Sequence, residues 1–287
     1  LDVLFYQDIG MESFGYYLSF ARLAPVQCVS FGHPDTTGIP TMDYFVSTAA
    51  FEVPDAGAHY TERLHPLPRA ILPAYYRRPD MPTTADPRAA LGLPGRDRLY
   101  VCPQSPFKLH PDVDALFGGI LRRDPGGRVL LVQGASRKWA EQLTRRFGRT
   151  VPDVADRIAF VPRLPEDRFY DLLRAADVIL DSPRFNGMNT SLEAFAAGTP
   201  VVTLPSLLQR GRHTRAMYAA MGLDDCVAAS PEQYVAIATR LGLEPDFAHE
   251  VSSAIRERSP MLFEDRAAVA DWEAFFRLAV AEARLRA

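Results

Sequence analysis

Short apolar runs alternate with segments of helical periodicity along this chain, and that alternation restricts its fold more than any other feature. The apolar runs cover residues 1–6, 25–31, 44–47, 99–102, 128–132, 158–161, 178–180 and 201–204. Helical patterns lie between most of them, for example at residues 14–23, 112–121, 138–147, 167–175 and 192–197. Several runs are apolar throughout, as strands buried on both faces of a parallel sheet must be. The sequence therefore predicts an α/β fold with parallel sheets.

A proline-rich stretch interrupts the alternation between residues 67 and 97. Proline fixes φ and lacks a backbone N–H, so the six prolines of this stretch disfavour both helix and sheet. We expect a linker here. It divides a first lobe at residues 1–84 from a second lobe at residues 85–265.

The last segment, residues 266–287, has the periodicity of a helix. Its apolar stripe consists of Val269, Trp272, Phe275, Phe276 and Leu278. We expect this helix to pack back on the first lobe. The first lobe is short and the chain opens without Met on an apolar run, so we also expect the first lobe to be partial.

Composition and charge exclude several classes of partner. A net charge of −3 and an isoelectric point near 6.1 leave no basic excess for nucleic acid or an anionic membrane surface. No apolar run approaches the roughly 20 residues that a membrane-spanning helix needs. The three cysteines, Cys28, Cys102 and Cys226, form no C-x-x-C pair, which favours a reducing cytoplasm. No ligand spacing indicates a metal, so we expect metal-independent chemistry without a cofactor.

The strongest chemical pattern lies between residues 176 and 203. An apolar strand is followed by a loop, and Asn189, Thr190 or Ser191 can cap the helix that comes next. Gly198 is suited to end that helix. Helix starts at the carboxyl edge of a parallel sheet attract phosphate groups, and Glu193 in the first turn can accept ribose hydroxyls. A plain N-cap with an acidic first-turn residue explains the same pattern, so both readings stay open.

Three motifs extend this pattern to nearly the whole chain. Residues 197–202 read Ala-Gly-Thr-Pro-Val-Val, and this segment after such a helix resembles the donor motif of GT-B glycosyltransferases. Residues 22–27 read Arg-Leu-Ala-Pro-Val-Gln, and residues 32–37 read Gly-His-Pro-Asp-Thr-Thr. Together they resemble glycosyltransferase family 41, which contains O-linked N-acetylglucosamine transferases, their plant-type relatives and bacterial cytoplasmic N-glycosyltransferases.

The resemblance implies a GT-B fold with two Rossmann-like lobes. It also implies inverting transfer of N-acetylglucosamine or a hexose from a nucleotide diphosphate sugar, expected to be UDP-linked, to a protein or peptide side chain. In some relatives, tetratricopeptide repeats that select acceptors, and a proposed catalytic base, lie upstream of the segment that matches this chain. The sequence itself assigns no catalytic base.

The resemblance also implies roles for individual residues. Lys108 falls where the family has a lysine against the donor diphosphate, and His33 falls in the Gly-His-Pro motif, so these two are the catalytic candidates. A basic cluster, Arg210 to Arg215, is a second candidate source of positive charge. The donor-binding candidates are Gln104, Ser105, Leu164, Asn189, Thr190, Ser191, Glu193, Arg212 and His213.

One departure from the family leaves the nucleotide base open. Where the animal enzymes carry a His and an Arg, this chain has Phe169 and Leu172. Two other functions also remain open at this point. One is a GT-B-shaped sugar-nucleotide 2-epimerase, and the other is a non-catalytic nucleotide-binding module.

Overall fold

The computed structural model describes residues 1–93, 95 and 97–286, which form two compact units. Unit 1 consists of Leu1–Arg77, Leu207–Arg212 and Leu262–Ala287, and unit 2 consists of Arg78–Ser206 and His213–Met261. Pro94 and Arg96, in the expected linker, and Ala287, in the expected last helix, lie outside the described residues.

The division differs from the expected lobes in three ways. The first stretch of unit 1 ends at Arg77 rather than at residue 84, and unit 2 ends at Met261 rather than at residue 265. Unit 1 also includes the short segment Leu207–Arg212. This short segment belongs to unit 1 because Gln209 Nε2 donates to Ser47 Oγ at 2.9 Å and Arg210 pairs with Asp35. The apolar pattern could not reveal such a crossing because the segment is short and polar.

Unit 1 is built on a four-stranded parallel sheet. Its strands are β1 (Val3–Tyr6), β2 (Val26–Ser30), β3 (Tyr44–Thr48) and β4 (Arg63–Leu67), in the order β1-β2-β3-β4. A short helix, α1 (Ser13–Leu18), follows β1.

The C-terminal helix α10 (Arg266–Arg284) packs on the sheet of unit 1. Phe275 is buried there, and Trp272 and Phe276 pack around it against β2 and β3 residues. Two residues of the expected stripe, Val269 and Leu278, are exposed instead. Their places in the interface are taken by Ala268 and Ala279, because small side chains let the helix approach the sheet closely.

Unit 2 is built on a five-stranded parallel sheet in the order β7-β6-β5-β8-β9. The strands are β5 (Arg98–Cys102), β6 (Gly127–Val132), β7 (Ile158–Val161), β8 (Val178–Leu180) and β9 (Val201–Val202). Its helices are α2 (Pro87–Ala90), α3 (Asp112–Arg123), α4 (Arg137–Thr150), α5 (Glu166–Ala175), α6 (Asn189–Ala197), α7 (His213–Met221), α8 (Pro231–Leu243) and α9 (Pro245–Arg258). The predicted class, α/β with parallel sheets, is confirmed.

The strand order of unit 2 has one functional consequence. The chain builds outward from β5 to β7 on one side and then returns to add β8 and β9 on the other. The loops after β5 and β8 therefore diverge and leave a crevice at their carboxyl ends. Open α/β sheets bind their ligands at this topological switch point.

Candidate functional site

The loops after β5 and β8 bring together the polar residues that the sequence singled out in unit 2. Gln104 follows β5, and its Nε2 donates to Thr190 Oγ1 at 2.8 Å. Ser191 Oγ lies 2.8 Å from Thr214 Oγ1 at the start of α7. We call the following residues the switch-point cluster: Gln104, Asp181, Gly187, Thr190, Ser191 and Thr214.

At Gly187 the backbone of the loop after β8 passes close to the side chains of Thr190 and Gln104. A Cβ atom at this position would lie 2.3 Å from Thr190 Oγ1 and 2.6 Å from Gln104 Nε2. Its backbone N–H donates to Asp181 Oδ1 at 2.8 Å. A side chain at position 187 would therefore push apart the two loops that define the crevice.

The start of α6 differs from the predicted one. The helix begins at Asn189, with Met188 as the N-cap residue, and the Met188 side chain makes no capping hydrogen bond. Asn189, Thr190 and Ser191 therefore lie in the first turn and not at the N-cap position. The reason is that the Leu192 N–H donates to the Met188 carbonyl at 3.1 Å, so the helix starts earlier than the apolar pattern.

The first turn of α6 keeps the properties expected of an anion site. Asn189 is exposed, Thr190 is half-buried and Ser191 is buried, so the turn opens to solvent on one side only. The positive end of the helix dipole lies here. The end of the helix follows the prediction, since Gly198 adopts a left-handed φ of 78° directly after Ala197.

Lys108 lies in the loop after β5, and its side chain contacts the loop after β8. It ends a short 3-10 turn, Pro106–Lys108, whose Lys108 N–H donates to the Ser105 carbonyl at 2.9 Å. Its Nζ lies 4.2 Å from the centroid of the Phe185 ring, in the loop after β8. Burial lowers the pKa of the ammonium group, and the Asp181 carboxylate acts in the opposite direction. Lys108 is thus a partly desolvated cation facing both loops, whereas Ser105 is exposed.

Glu193 lies one turn further along α6, in an environment that favours its neutral form. Burial raises the pKa of its carboxyl to about 7, and the nearby Glu166 adds to this effect. Glu166 accepts a hydrogen bond from the Tyr170 hydroxyl at 2.6 Å. A half-buried carboxyl with a pKa raised by burial gains from hydroxyl partners, and a ribose can supply these.

The expected basic cluster is not a single charged surface. His213 is buried at the start of α7, and burial together with the Lys108 charge lowers the pKa of its imidazole to about 3. It is therefore neutral at pH 7 and cannot act as a cation. Arg210 pairs with Asp35, and Arg212 Nε donates to the Phe51 carbonyl at 3.1 Å; both lie in unit 1.

Two further candidates lie at other edges of the two units. Leu164 follows β7 in unit 2 and is half-buried, in the loop that leads into α5. His33 follows β2 in unit 1 and is half-buried, and a Cβ atom on Gly10 would lie 2.9 Å from its Cδ2. The His33 ring therefore rests on the loop after β1, at the carboxyl edge of its own sheet.

Comparison with known proteins identifies the family to which this chain belongs. The profile of glycosyl transferase family 41 matches residues 79–271, which include all of the switch-point cluster. The chain belongs to glycosyl transferase family 41.

Curated relatives from plants are similar across most of the chain. A probable UDP-N-acetylglucosamine–peptide N-acetylglucosaminyltransferase SEC from Arabidopsis thaliana is 29% identical over 226 residues, which cover 77% of this chain and 23% of the relative. The SPINDLY protein of Hordeum vulgare, named for the same activity, is 26% identical over 266 residues, covering 89% of this chain and 26% of the relative. The chain thus spans about a quarter of the length of these relatives.

Solved structures of the same architecture establish the fold as GT-B. An O-GlcNAc transferase mutant from Thermobaculum terrenum matches all of this chain, and 54% of its own, with a TM-score of 0.84 and 27% identity. A sucrose-phosphate synthase from Thermosynechococcus elongatus matches 98% of this chain, and 73% of its own, with a TM-score of 0.59 and 16% identity. At that identity the second likeness concerns the fold alone.

Three members of the switch-point cluster were not among the sequence candidates: Asp181, Gly187 and Thr214. A signal for Asp181 exists, because a charged residue directly after the buried strand β8 must find a hydrogen-bonding or charged partner if it is buried. Gly187 could be suspected only as a loop glycine. Thr214 carried no signal, since its place depends on how α7 packs against α6.

Metal ligands and membrane spans were not expected from the sequence. Within the described residues, no group of three or more His, Cys, Asp or Glu side chains could hold a metal ion. The chain does contain one Asp-x-Asp pair, Asp112 and Asp114, but Asp112 pairs with Arg184 and Asp114 with Arg146 at the start of α3. None of the described helices is long and apolar enough to cross a membrane.

Proposed function

We propose that this chain transfers a sugar from a UDP-linked donor to a protein side chain, with inversion at the anomeric carbon. One observation carries the proposal. The first turn of α6, the Gln104–Thr190 hydrogen bond and the Lys108 ammonium group converge at the switch point of a GT-B sheet. The names of the plant relatives, which specify UDP-N-acetylglucosamine and peptide acceptors, support the choice of donor and acceptor.

In this proposal the diphosphate binds at the first turn of α6. Asn189, Thr190 and Ser191 offer backbone N–H groups and hydroxyls, and Gln104 holds Thr190 in position. Ser105, on the exposed side of the same loop, is a further hydrogen-bonding group for the phosphates. The Glu193 carboxylate accepts the ribose hydroxyls.

The base and the sugar are bound by less specific groups. Leu164 presents its backbone N–H and C=O to the base edge, which is independent of its side chain. His33 contacts the sugar or the acceptor, and Arg212 adds positive charge near the diphosphate. His213, being neutral, contributes hydrogen bonding and not charge.

The reaction is a single displacement. The acceptor nucleophile attacks the anomeric carbon on the face opposite the diphosphate, and the bond from that carbon to the diphosphate oxygen breaks. UDP departs with the bonding electrons, and the acceptor loses its proton to a base. The departing negative charge is stabilised by Lys108 and by the positive end of α6, so the transfer needs neither a metal nor another cofactor.

We further propose that the protein works in the cytoplasm. The three cysteines are free and buried, and burial raises the thiol pKa of each, Cys28, Cys102 and Cys226, to about 12. Thiols of this kind are unreactive and need no oxidising compartment.

A donor screen tests the function. The protein is incubated with UDP-N-acetylglucosamine, UDP-glucose or a GDP-sugar and a mixture of protein acceptors, and the products are analysed by mass spectrometry. We expect free UDP together with a glycosylated acceptor. An isomerised sugar nucleotide would instead identify an epimerase. Binding of UDP without turnover of any donor would identify a nucleotide-binding module.

A further inference from the structure

Asp181 is a buried carboxylate at the centre of the switch-point cluster. Its side chain is 2% exposed, and it follows β8 directly. Its Oδ1 accepts the Gly187 N–H at 2.8 Å, and its Oδ2 accepts the Thr203 hydroxyl at 2.9 Å. Thr214 adds a third hydrogen bond to the same carboxylate. One group thus joins the loop before α6, the end of β9 and the start of α7.

The backbone of Asp181 is fixed equally well. Its N–H donates to the Val202 carbonyl at 3.0 Å, and its carbonyl accepts the Tyr234 hydroxyl of α8 at 2.9 Å. The backbone that carries the carboxylate is therefore anchored to β9 and α8. From this anchored position the carboxylate holds the loop that carries Gly187.

Most of the titratable groups around Asp181 are neutral near pH 7. They are Cys102 on β5, Tyr218 and His213 on α7, Tyr234 on α8, and Lys108 in the loop after β5. Burial raises the pKa of Cys102 to about 12 and those of both tyrosines well above their usual range, while that of His213 is lowered to about 3. Of these described neighbours, Lys108 alone is charged between pH 5 and 8.

We infer that the Asp181 carboxylate is a positioning residue that holds the Gly187 turn closed beside the first turn of α6, where the donor diphosphate is proposed to bind. An ionised carboxylate can accept hydrogen bonds from Gly187, Thr203 and Thr214 together, whereas a protonated one carries its own hydrogen and must give up part of this set. It is also the negative charge that offsets the desolvation of Lys108. This inference rests on the proposed donor site.

Protonation of Asp181 should therefore weaken donor binding. Burial raises the pKa of its carboxyl to about 6, although the hydrogen bonds from Thr214, Gly187 and Thr203 act in the opposite direction. The carboxylate is present at pH 8 and largely protonated at pH 5, so the loss falls on the acid side of neutrality.

The test compares UDP affinity of the wild type and Asp181→Asn by titration calorimetry from pH 5 to 8. UDP and Glu193 also titrate in this range, but the ratio of the two affinities cancels what both proteins share. We expect Asp181→Asn to bind UDP about 10-fold more weakly at pH 8, and the ratio to approach one at pH 5. A ratio that does not change with pH overturns the inference, even if the variant is weaker throughout.

Two further variants guard against a purely structural effect. Asp171→Asn is the matched control, since Asp171 is also buried in unit 2 but pairs with Arg174 and Thr84 away from the cluster. It should leave the pH profile of UDP binding unchanged. Thr203→Val removes one hydrogen bond from the carboxylate and should move the loss of affinity to higher pH, which tests the inference if Asp181→Asn does not fold.

The outcomes also distinguish this inference from the proposed function. A wild-type protein that binds no UDP at any pH overturns both. A wild type that binds UDP, with Thr203→Val and Asp181→Asn following the wild-type pH profile, overturns the inference and leaves the function standing.

Discussion

The two units have the same architecture, but they use their polar motifs differently. Each carries a parallel sheet with motif-bearing loops at its carboxyl edge. In unit 1 most residues of the two distinctive sequence motifs form hydrogen bonds and ion pairs with other residues of the same unit. In unit 2 the motif residues border the start of α6, whose N-cap residue, Met188, offers no capping side chain.

The motif at residues 22–27 forms its hydrogen bonds and its ion pair within unit 1. Arg22 forms a two-pronged ion pair with Asp43, and the Gln27 N–H donates to the same carboxylate at 2.7 Å. The Gln27 side chain accepts the Leu23 N–H at 2.8 Å and is fully buried. This motif therefore fixes the entry into β2.

The motif at residues 32–37 is divided between two roles. Thr36 and Thr37 both donate hydrogen bonds to Glu62, including 2.7 Å from the Thr36 hydroxyl and 2.7 Å from the Thr37 N–H. His33 lies instead against the loop after β1, where a Cβ atom on Gly10 would lie 2.9 Å from its Cδ2. The comparison teaches that a motif can be specific for a family because it builds the lobe, and not because it touches substrate.

The largest expected effect on activity is that of replacing Lys108 in unit 2. We expect Lys108→Ala to lower kcat by about 100- to 1000-fold and to change donor binding much less, because leaving-group charge peaks in the transition state. Steady-state kinetics with the donor found in the screen measure this. Lys138, the only other lysine of the sequence, is exposed on α4, and Lys138→Ala is the control. An unchanged kcat with a raised KM would make Lys108 a binding residue only.

The next effect concerns Glu193 and nucleoside binding. We expect Glu193→Ala to weaken UDP by about 10-fold, as hydrogen bonds to a charged group are lost, and to leave free uracil unaffected. Glu232 lies in the first turn of α8 and is exposed, away from the switch-point cluster, so Glu232→Ala is the control and should change neither affinity. Equal losses for UDP and uracil would contradict the assignment of Glu193 to the ribose.

A smaller effect, on stability alone, is expected from the unit 1 motif. Burial acts to raise the pKa of Glu62, but hydrogen bonds from Thr37 and Thr36 outweigh it and hold that pKa below its usual value. Glu62→Gln should therefore lower the free energy of unfolding by about 1 kcal/mol at pH 7, with UDP affinity unchanged.

The pH dependence of that loss has a defined sign. A carboxyl whose folded pKa is lowered stabilises the protein above its unfolded pKa, and the stabilisation disappears as the pH falls through the folded value. Denaturant unfolding at several pH values should show the wild type and Glu62→Gln converging below about pH 4. The exposed Glu273→Gln is the control. A loss of UDP affinity in Glu62→Gln would break the contrast between the units.

The smallest expected effect is that of metal removal, which should be none. The proposed charges on the diphosphate come from Lys108, Arg212 and the start of α6, so EDTA should leave the transfer rate unchanged. Activity that EDTA abolishes and Mg²⁺ or Mn²⁺ restores would show that these groups do not suffice.

Much of the fold was predictable because buried parallel strands are apolar throughout. The bounds of β7 and β8 match the predicted ones, and Gly198 ends α6 as expected. The strand β4 was missed because Arg63, His65 and Pro66 interrupt its apolar character, which an edge strand tolerates. The helices α8 and α9 were not assigned, although Ser230 before Pro231 is a helix-start signal.

The site was predictable only in part. Lys108, Thr190 and Ser191 could be named from the resemblance, and the structure joins their loops at the switch point. The role of Asp181 could not be predicted, because its partners Thr203 and Thr214 reach it only through the packing of β9 and α7. Tertiary contacts of this kind leave no periodic trace in a sequence.

Hydrogen exchange with and without saturating UDP tests the central claim most directly, because it locates the nucleotide on the chain. Peptides covering the loop after β5, residues 103–109, and the loop into α6, residues 182–191, should exchange more slowly when UDP is bound. The peptide covering α8 should not change. Protection confined to unit 1, or no protection at these two loops, would contradict a donor site at the switch point of unit 2.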